Sequence, residues 1–270
     1  RKPKVLNTHG SLLGYKKYLP SNQHTPYQLY DALTLKASAK SADAVVVSSK
    51  LEYEDAVEFG IQKTKLHVIP MGIDVDEYVD NPINPNGDAI NILFVGRIAR
   101  VRRIEILLQA VAKLSIPFHV TLVGGEEKTS SLSRSGYLDE LKKLCKDLNI
   151  NDRVTFVGPV AQNELFNWYS KGDIFVYPSL YENFGQPILE AAAAGLPIVS
   201  AAVGVAQEII TDNETGFLFN GDDQELANRI TQLTDQNLRK KIGGAVRERV
   251  RSLYGWEGII KQYLDLYRSL

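Results

Sequence analysis

Short runs of apolar, largely β-branched residues alternate along the chain with longer stretches in which apolar positions return every three or four residues. The short runs fall at 4–8, 44–48, 66–70, 91–96, 119–124, 153–158, 174–178 and 197–200. Within them apolar residues are consecutive and do not alternate with polar ones. Strands of that kind are covered on both faces, so the pattern predicts an α/β chain with parallel, doubly wound sheets. Helical stretches lie between the strands. "SKLEYEDAVEFG" opens with Ser49 and Glu52 at capping-box spacing and stops at Gly60. "IEILLQAVAKL" and "ELFNWYSKG" sit between consecutive strands, where right-handed crossovers require helices. From about residue 222 helical periodicity runs to the end, through "DQELANRITQLT", "QNLRKKIGGAVRERVRSL" and "WEGIIKQYLDLYRSL".

The composition shifts once, at "DVDEYVDNPINPNGDA" (74–89), which reads as a linker between two domains. A chain of 270 residues has room for two. Hydrophobic residues make up 44% and charged ones 23%, enough to bury a sizeable core. The net charge of −1 supplies no field toward nucleic acid or an anionic membrane, so nucleic acid is not an expected partner. The single cysteine, Cys145, lies in a helical pattern and is expected to be a buried structural thiol in a reducing, cytoplasmic setting. The weakly apolar run 191–206 is interrupted by Gly195, Pro197 and Gly204 and is too short to span a bilayer. No signal peptide is visible. Arg1 opens directly into a strand and the only methionine is Met71, which reads as a chain whose natural front is missing.

Two constellations carry chemistry. In "NILFVGRIARVRRIEILLQA" a strand ends at Gly96, a loop carries Arg97, Arg102 and Arg103, and a helix starts near Ile104. A glycine turn feeding a helix N-terminus favours anions, and arginines add bidentate phosphate donors. The residues alone leave a solvated basic loop equally open. The loop is neither G-x-G-x-x-G nor a P-loop, so nothing points to a dinucleotide or an NTPase. In "YENFGQPILEAAAAGLPIVSAA" a loop with Glu182 and Asn183 follows a strand. Phe184, Gly185 and Gln186 would offer backbone N–H groups at a helix start that Pro187 tolerates, and Glu190 would project from the early turns. In doubly wound sheets ligands bind at the carboxyl ends of strands, and a carboxylate there suits sugar hydroxyls. A capping glutamate with a surface glutamate is the plainer alternative.

On these residues the chain resembles the family 4 retaining glycosyltransferases of the GT-B fold over nearly its whole length. "GRIARVRR" is similar to their G-R-x-x-x-x-K-G donor-phosphate loop, and "ENFGQPILEAAAAGLPIVS" to their E-x-F-G-x-x-x-x-E signature. "DNETGFLF" resembles a late turn of the family, and "YGWEGIIKQYLDLY" its last helix. The resemblance implies two Rossmann-like domains: the rear of an N-terminal, acceptor-side domain at 1–80, a nucleotide-sugar-binding domain at 81–252, and a helix at 253–270 crossing back to the first. Arg97 and Arg102, with Gly96, would hold the donor diphosphate. Glu182, with Asn183, Phe184, Gly185 and Gln186, would hold the donor sugar and helix start. Glu190 would bond the ribose, and loops around Gly124 and up to Val160 would line the nucleoside. His9, by itself readable as a core or capping histidine, matches one that faces the reaction centre, so His9 and Glu182 are the candidate catalytic residues.

The implied reaction is transfer of a hexose from a UDP- or GDP-sugar to an acceptor hydroxyl with retention and without cofactor or metal. The sequence carries no His/Cys ligand cluster. The acceptor could be carbohydrate, lipid-linked or a small polyol, with the membrane reached peripherally through it. Arg102 replaces the family lysine, Arg103 the glycine after it, and Val205 the second glycine of a G-G pair. A second copy or partner chain is expected to cover the missing strands. A binding module without turnover, or an epimerase or phosphorylase of the same fold, are the rival readings.

Overall fold

The computed structural model describes residues 2–10, 12–13, 16, 21–78, 89–126 and 136–270. They form two compact units. The first comprises 1–72, 181–184 and 254–270; the second comprises 73–180 and 185–253. Most of the linker expected at 74–89, including the boundary at 80, lies outside the described residues.

In the first unit, strands β1 (Val5–Asn7), β2 (Ala44–Val47) and β3 (Leu66–Val68) form a parallel sheet in that order. Between β1 and β2, where the pattern suggested nothing, α1 (Thr25–Tyr30) passes through a π-helical stretch (Asp31–Leu35) into α2 (Lys36–Ser41). After β2, α3 (Lys50–Phe59) begins where expected: the Ser49 side chain accepts from the Glu52 N–H, and Gly60 ends the helix at φ 98°.

The second unit carries the larger sheet, from β4 (Ile90–Val95), β5 (Phe118–Val123), β6 (Val154–Gly158), β7 (Ile174–Tyr177), β8 (Ile198–Ala201) and β9 (Phe217–Phe219). Its spatial order is β6-β5-β4-β7-β8-β9, parallel throughout. Counted within the unit this is 3-2-1-4-5-6, the doubly wound order, and the switch point lies between β4 and β7. Every residue of β7 and β8 is buried, as consecutive apolar runs require. Phe94 of β4 stacks on Tyr177 of β7 with centroids 5.6 Å apart. The crossovers are α4 (Ile104–Val111), α5 (Tyr137–Asp147), α6 (Leu165–Tyr169), α7 (Gln186–Ala193) and α8 (Ala206–Ile209). Cys145 in α5 is buried, and burial pushes its thiol up to about 11, which fits a structural role.

After β9 come α9 (Asp223–Gln232) and α10 (Gln236–Tyr254). Gly243 lets α10 close on the chain: a Cβ there would lie 2.0 Å from the Gly195 carbonyl. The last helix, α11 (Trp256–Ser269), belongs to the first unit, where Ile259 and Leu266 bury against Ala44, Val46 and Ile69. Among the described residues no helix is long and apolar enough to cross a membrane.

Candidate functional site

The switch point of the large sheet is built from two loops, one after β4 and one after β7, and four hydrogen bonds stitch them together. The Leu180 N–H donates to the Val101 carbonyl at 2.7 Å. The Ser179 hydroxyl donates to the same carbonyl at 3.2 Å. Arg102 Nη1 donates to Ser179 Oγ at 3.1 Å, and Arg103 Nε to the Pro178 carbonyl at 2.9 Å. Ser179, fully buried, escaped sequence reasoning; its only signal was a hydroxyl directly at the end of an apolar strand.

The four basic residues of the first loop have separate fates. Arg97 is exposed beside Gly96. Arg102 is 7% exposed, with its guanidinium carbon 5.6 Å from the Tyr177 ring centroid. Arg100 forms a two-pronged pair with Glu140 of α5 at 2.7 and 2.5 Å, anchoring the loop from outside. Arg103 takes the left-handed conformation at φ 48° and ψ 44°, immediately before α4. The glycine expected there answers a real backbone demand, which the arginine meets at a steric cost. Its guanidinium packs so near Gly221 that a Cβ there would lie 2.6 Å from Nη1, and this burial lowers its pKa. The Val205 replacement carries no such cost, because Val205 is right-handed at φ −63° while Gly204 before it sits at φ 47°.

Backbone hydrogen bonds join the loops after β4, β5 and β6. The Gly96 N–H donates to the Val123 carbonyl, Ile98 to Gly125 and Gly124 to Gly158, at 2.8–2.9 Å. Gly124 has φ 140°, and a Cβ on it would lie 1.9 Å from the Gly96 oxygen, so no other residue fits. Val160 follows β6, half-buried.

Helix α7 starts at Gly185, φ 90°, with Pro187 in its first turn as expected. Glu190 in α7 is 4% exposed, and Tyr169 donates its hydroxyl to the carboxylate at 2.8 Å. Burial raises the Glu190 pKa, while hydrogen bonds from Tyr169, Gln186 and Gln162 oppose the rise. Glu190 in turn helps burial raise the Tyr78 phenol. Tyr169 and Gln162 are partners that sequence reasoning missed.

The loop 181–184 with Glu182 and Asn183 belongs to the first unit, as does His9. Glu182 is half-buried and His9 exposed. His9 stands at the carboxyl end of β1 with φ 47°, an uncommon conformation for a non-glycine residue. Its N–H donates to Asn7 Oδ1 at 3.2 Å, and Asn7 Nδ2 donates to the Tyr263 hydroxyl of α11 at 3.1 Å. Among the described residues no group of three or more His, Cys, Asp or Glu side chains could hold a metal.

Comparison with known proteins adds to this geometry. Residues 76–249 match the family model for glycosyl transferases group 1, and residues 1–77 match that for glycosyltransferase family 4. A D-inositol 3-phosphate glycosyltransferase of Thermomonospora curvata is 31% identical, the match covering 90% of this chain and 61% of that one. Its counterpart in Xylanimonas cellulosilytica is 29% identical, over 84% and 57%. The chain thus spans about 57–61% of the length of these curated relatives. Among solved structures, sucrose-phosphate synthase from Thermosynechococcus elongatus is 32% identical with a TM-score of 0.82, covering 98% of this chain and 67% of that one. Anabaena HepE, solved in complex with UDP, shares the fold at 24% identity and a TM-score of 0.84, over 99% and 72%.

Proposed function

The chain belongs to the glycosyl transferases group 1 family and has its GT-B type fold, and from that premise we propose that it transfers a hexose from a nucleoside-diphosphate sugar to an acceptor hydroxyl. The observation that carries the reading is the switch point between β4 and β7. Cations of the β4 loop and the start of α7 flank the place where doubly wound sheets bind their ligands. In this reading Arg97 and the N-terminus of α7 take the diphosphate, Arg102 braces the loop through Ser179, and Glu190 accepts from the ribose. Glu182 and Asn183 read the sugar hydroxyls, and His9 is the other candidate catalytic residue. Charge grows on the departing diphosphate in the transition state, and fixed donors aimed at it stabilise it without reorganising. We read the transfer as retaining and independent of a metal, with Arg97 in the place a metal would otherwise serve.

The test starts with calorimetric titration of UDP, GDP, UDP-glucose and GDP-mannose. Transfer follows with the donor that binds, and the names of the relatives make inositol phosphate the first acceptor to try. The anomeric proton coupling of the product reports retention, and a chelator added to the assay reports metal dependence. Binding of none of the four nucleotides refutes the reading. Binding without transfer to any hydroxyl acceptor leaves a binding module instead.

A further inference from the structure

The loop Tyr181–Phe184 clusters with the first unit although the chain on either side of it belongs to the second. Groups from three parts of the first unit hold it there. Ser49, fully buried at the start of α3, donates its hydroxyl to the Asn183 carbonyl at 2.7 Å. The same oxygen accepts from the Glu52 N–H at 3.2 Å, so the serine caps its helix with a lone pair and reaches the loop with its proton. Tyr181 donates its hydroxyl to Oδ2 of Asp55, which is 1% exposed, at 3.3 Å. The Phe184 ring lies 6.2 Å from that of Tyr254. Gly10, after β1, lies beside the loop: a Cβ on it would sit 3.2 Å from Asn183 Nδ2. Among the described residues Asn183 Oδ1 is buried there without a hydrogen-bond partner, and folded chains rarely leave such a group unmatched without a reason.

We propose that Ser49 and Asp55 are positioning residues for the sugar-reading part of the donor site, holding the loop on which Glu182 and Asn183 stand. The inference rests on the donor-binding reading above. Glu190, assigned there to the nucleotide, is held instead by the Tyr169 hydroxyl of α6. Loosening the loop therefore weakens recognition of the sugar more than recognition of the nucleotide.

Three variants of the full chain separate the possibilities. Tyr181→Phe removes one hydroxyl and keeps the ring. Ser49→Ala removes latch and cap together, and Asp55→Asn keeps an acceptor for Tyr181. Each is titrated with the UDP/UDP-glucose and GDP/GDP-mannose pairs, and hydrogen exchange is followed at the amides of 181–185. The affinity ratio of nucleotide sugar to nucleotide should fall about two- to tenfold in Tyr181→Phe and Ser49→Ala, the worth of one hydrogen bond. It should hold in Asp55→Asn, and exchange should quicken only in the first two. An unmoved ratio in Tyr181→Phe, with the wild type still preferring the sugar nucleotide, overturns the inference alone. So does an equal loss for nucleotide and nucleotide sugar, the mark of a merely structural role. A wild type that binds none of the four probes overturns the donor reading and this inference together.

Discussion

Arg103 offers a measurement of backbone strain inside the candidate phosphate loop. Its left-handed conformation, φ 48° and ψ 44°, is one that glycine adopts freely and L residues resist. Arg103→Gly and Arg103→Ala both delete the bond from Nε to Pro178 and the packing against Gly221. The two variants differ essentially in the backbone. Relief of the left-handed strain favours glycine by about 1–2 kcal/mol. The greater freedom of glycine in the unfolded chain opposes it by about 0.4–1 kcal/mol. The glycine variant should therefore be the more stable by about 0.8 kcal/mol, within a span of roughly 0–1.6 kcal/mol. Urea unfolding, read from Trp168 fluorescence in a Trp256→Phe background, reports the unit that holds Arg103. An alanine variant as stable as the glycine one would refute the strain argument. It would mean that the loop relaxes out of the left-handed region once the arginine is gone.

Further expectations concern the same unit and the division of labour across the donor. Because burial raises the Glu190 pKa, the folded state holds its proton more tightly than the unfolded one. That contribution to stability is complete below the ordinary glutamate range and is lost as pH rises through the raised value. Thermal unfolding across pH should show this loss in the wild type and a flatter profile in Glu190→Gln. The same Glu190→Gln change should weaken nucleotide and nucleotide sugar about equally, whereas Glu182→Gln should spare the free nucleotide and lower sugar-dependent affinity; matching losses for UDP in both variants would count against the assignment. Arg97→Ala should weaken nucleoside diphosphate binding by about 1.5–3 kcal/mol, and unchanged affinity by calorimetry would remove it from the site. Gly124→Ala should cost at least about 2 kcal/mol, through a backbone clash with Gly96 and an unfavourable φ, and an unshifted unfolding midpoint would contradict that geometry.

The sequence by itself determined the elements whose signal is local. Consecutive apolar residues marked β2, β4, β7 and β8, and burial on both faces follows from that run alone. Ser49, Glu52 and Gly60 bracketed α3 because a helix end must satisfy its own backbone groups within a few residues. Gly185 and Pro187 marked the start of α7 for the same reason. Strand β9, three residues long behind a turn, is too short to show a period, and tertiary pairing with β8 creates it. The identities Arg97, Arg102, Glu182 and Glu190 were legible, but their environments were not. Arg102 is buried by Ser179, 77 residues on, and Glu190 by Tyr169, 21 residues back. The loop of Glu182 is fastened by Ser49 across 134 residues. Hydropathy period and capping chemistry act over one or two turns of chain. Partners this distant meet only once the chain has folded back on itself over many residues, so the tertiary structure decided which charges are buried, which loops are tied and which backbone positions are strained.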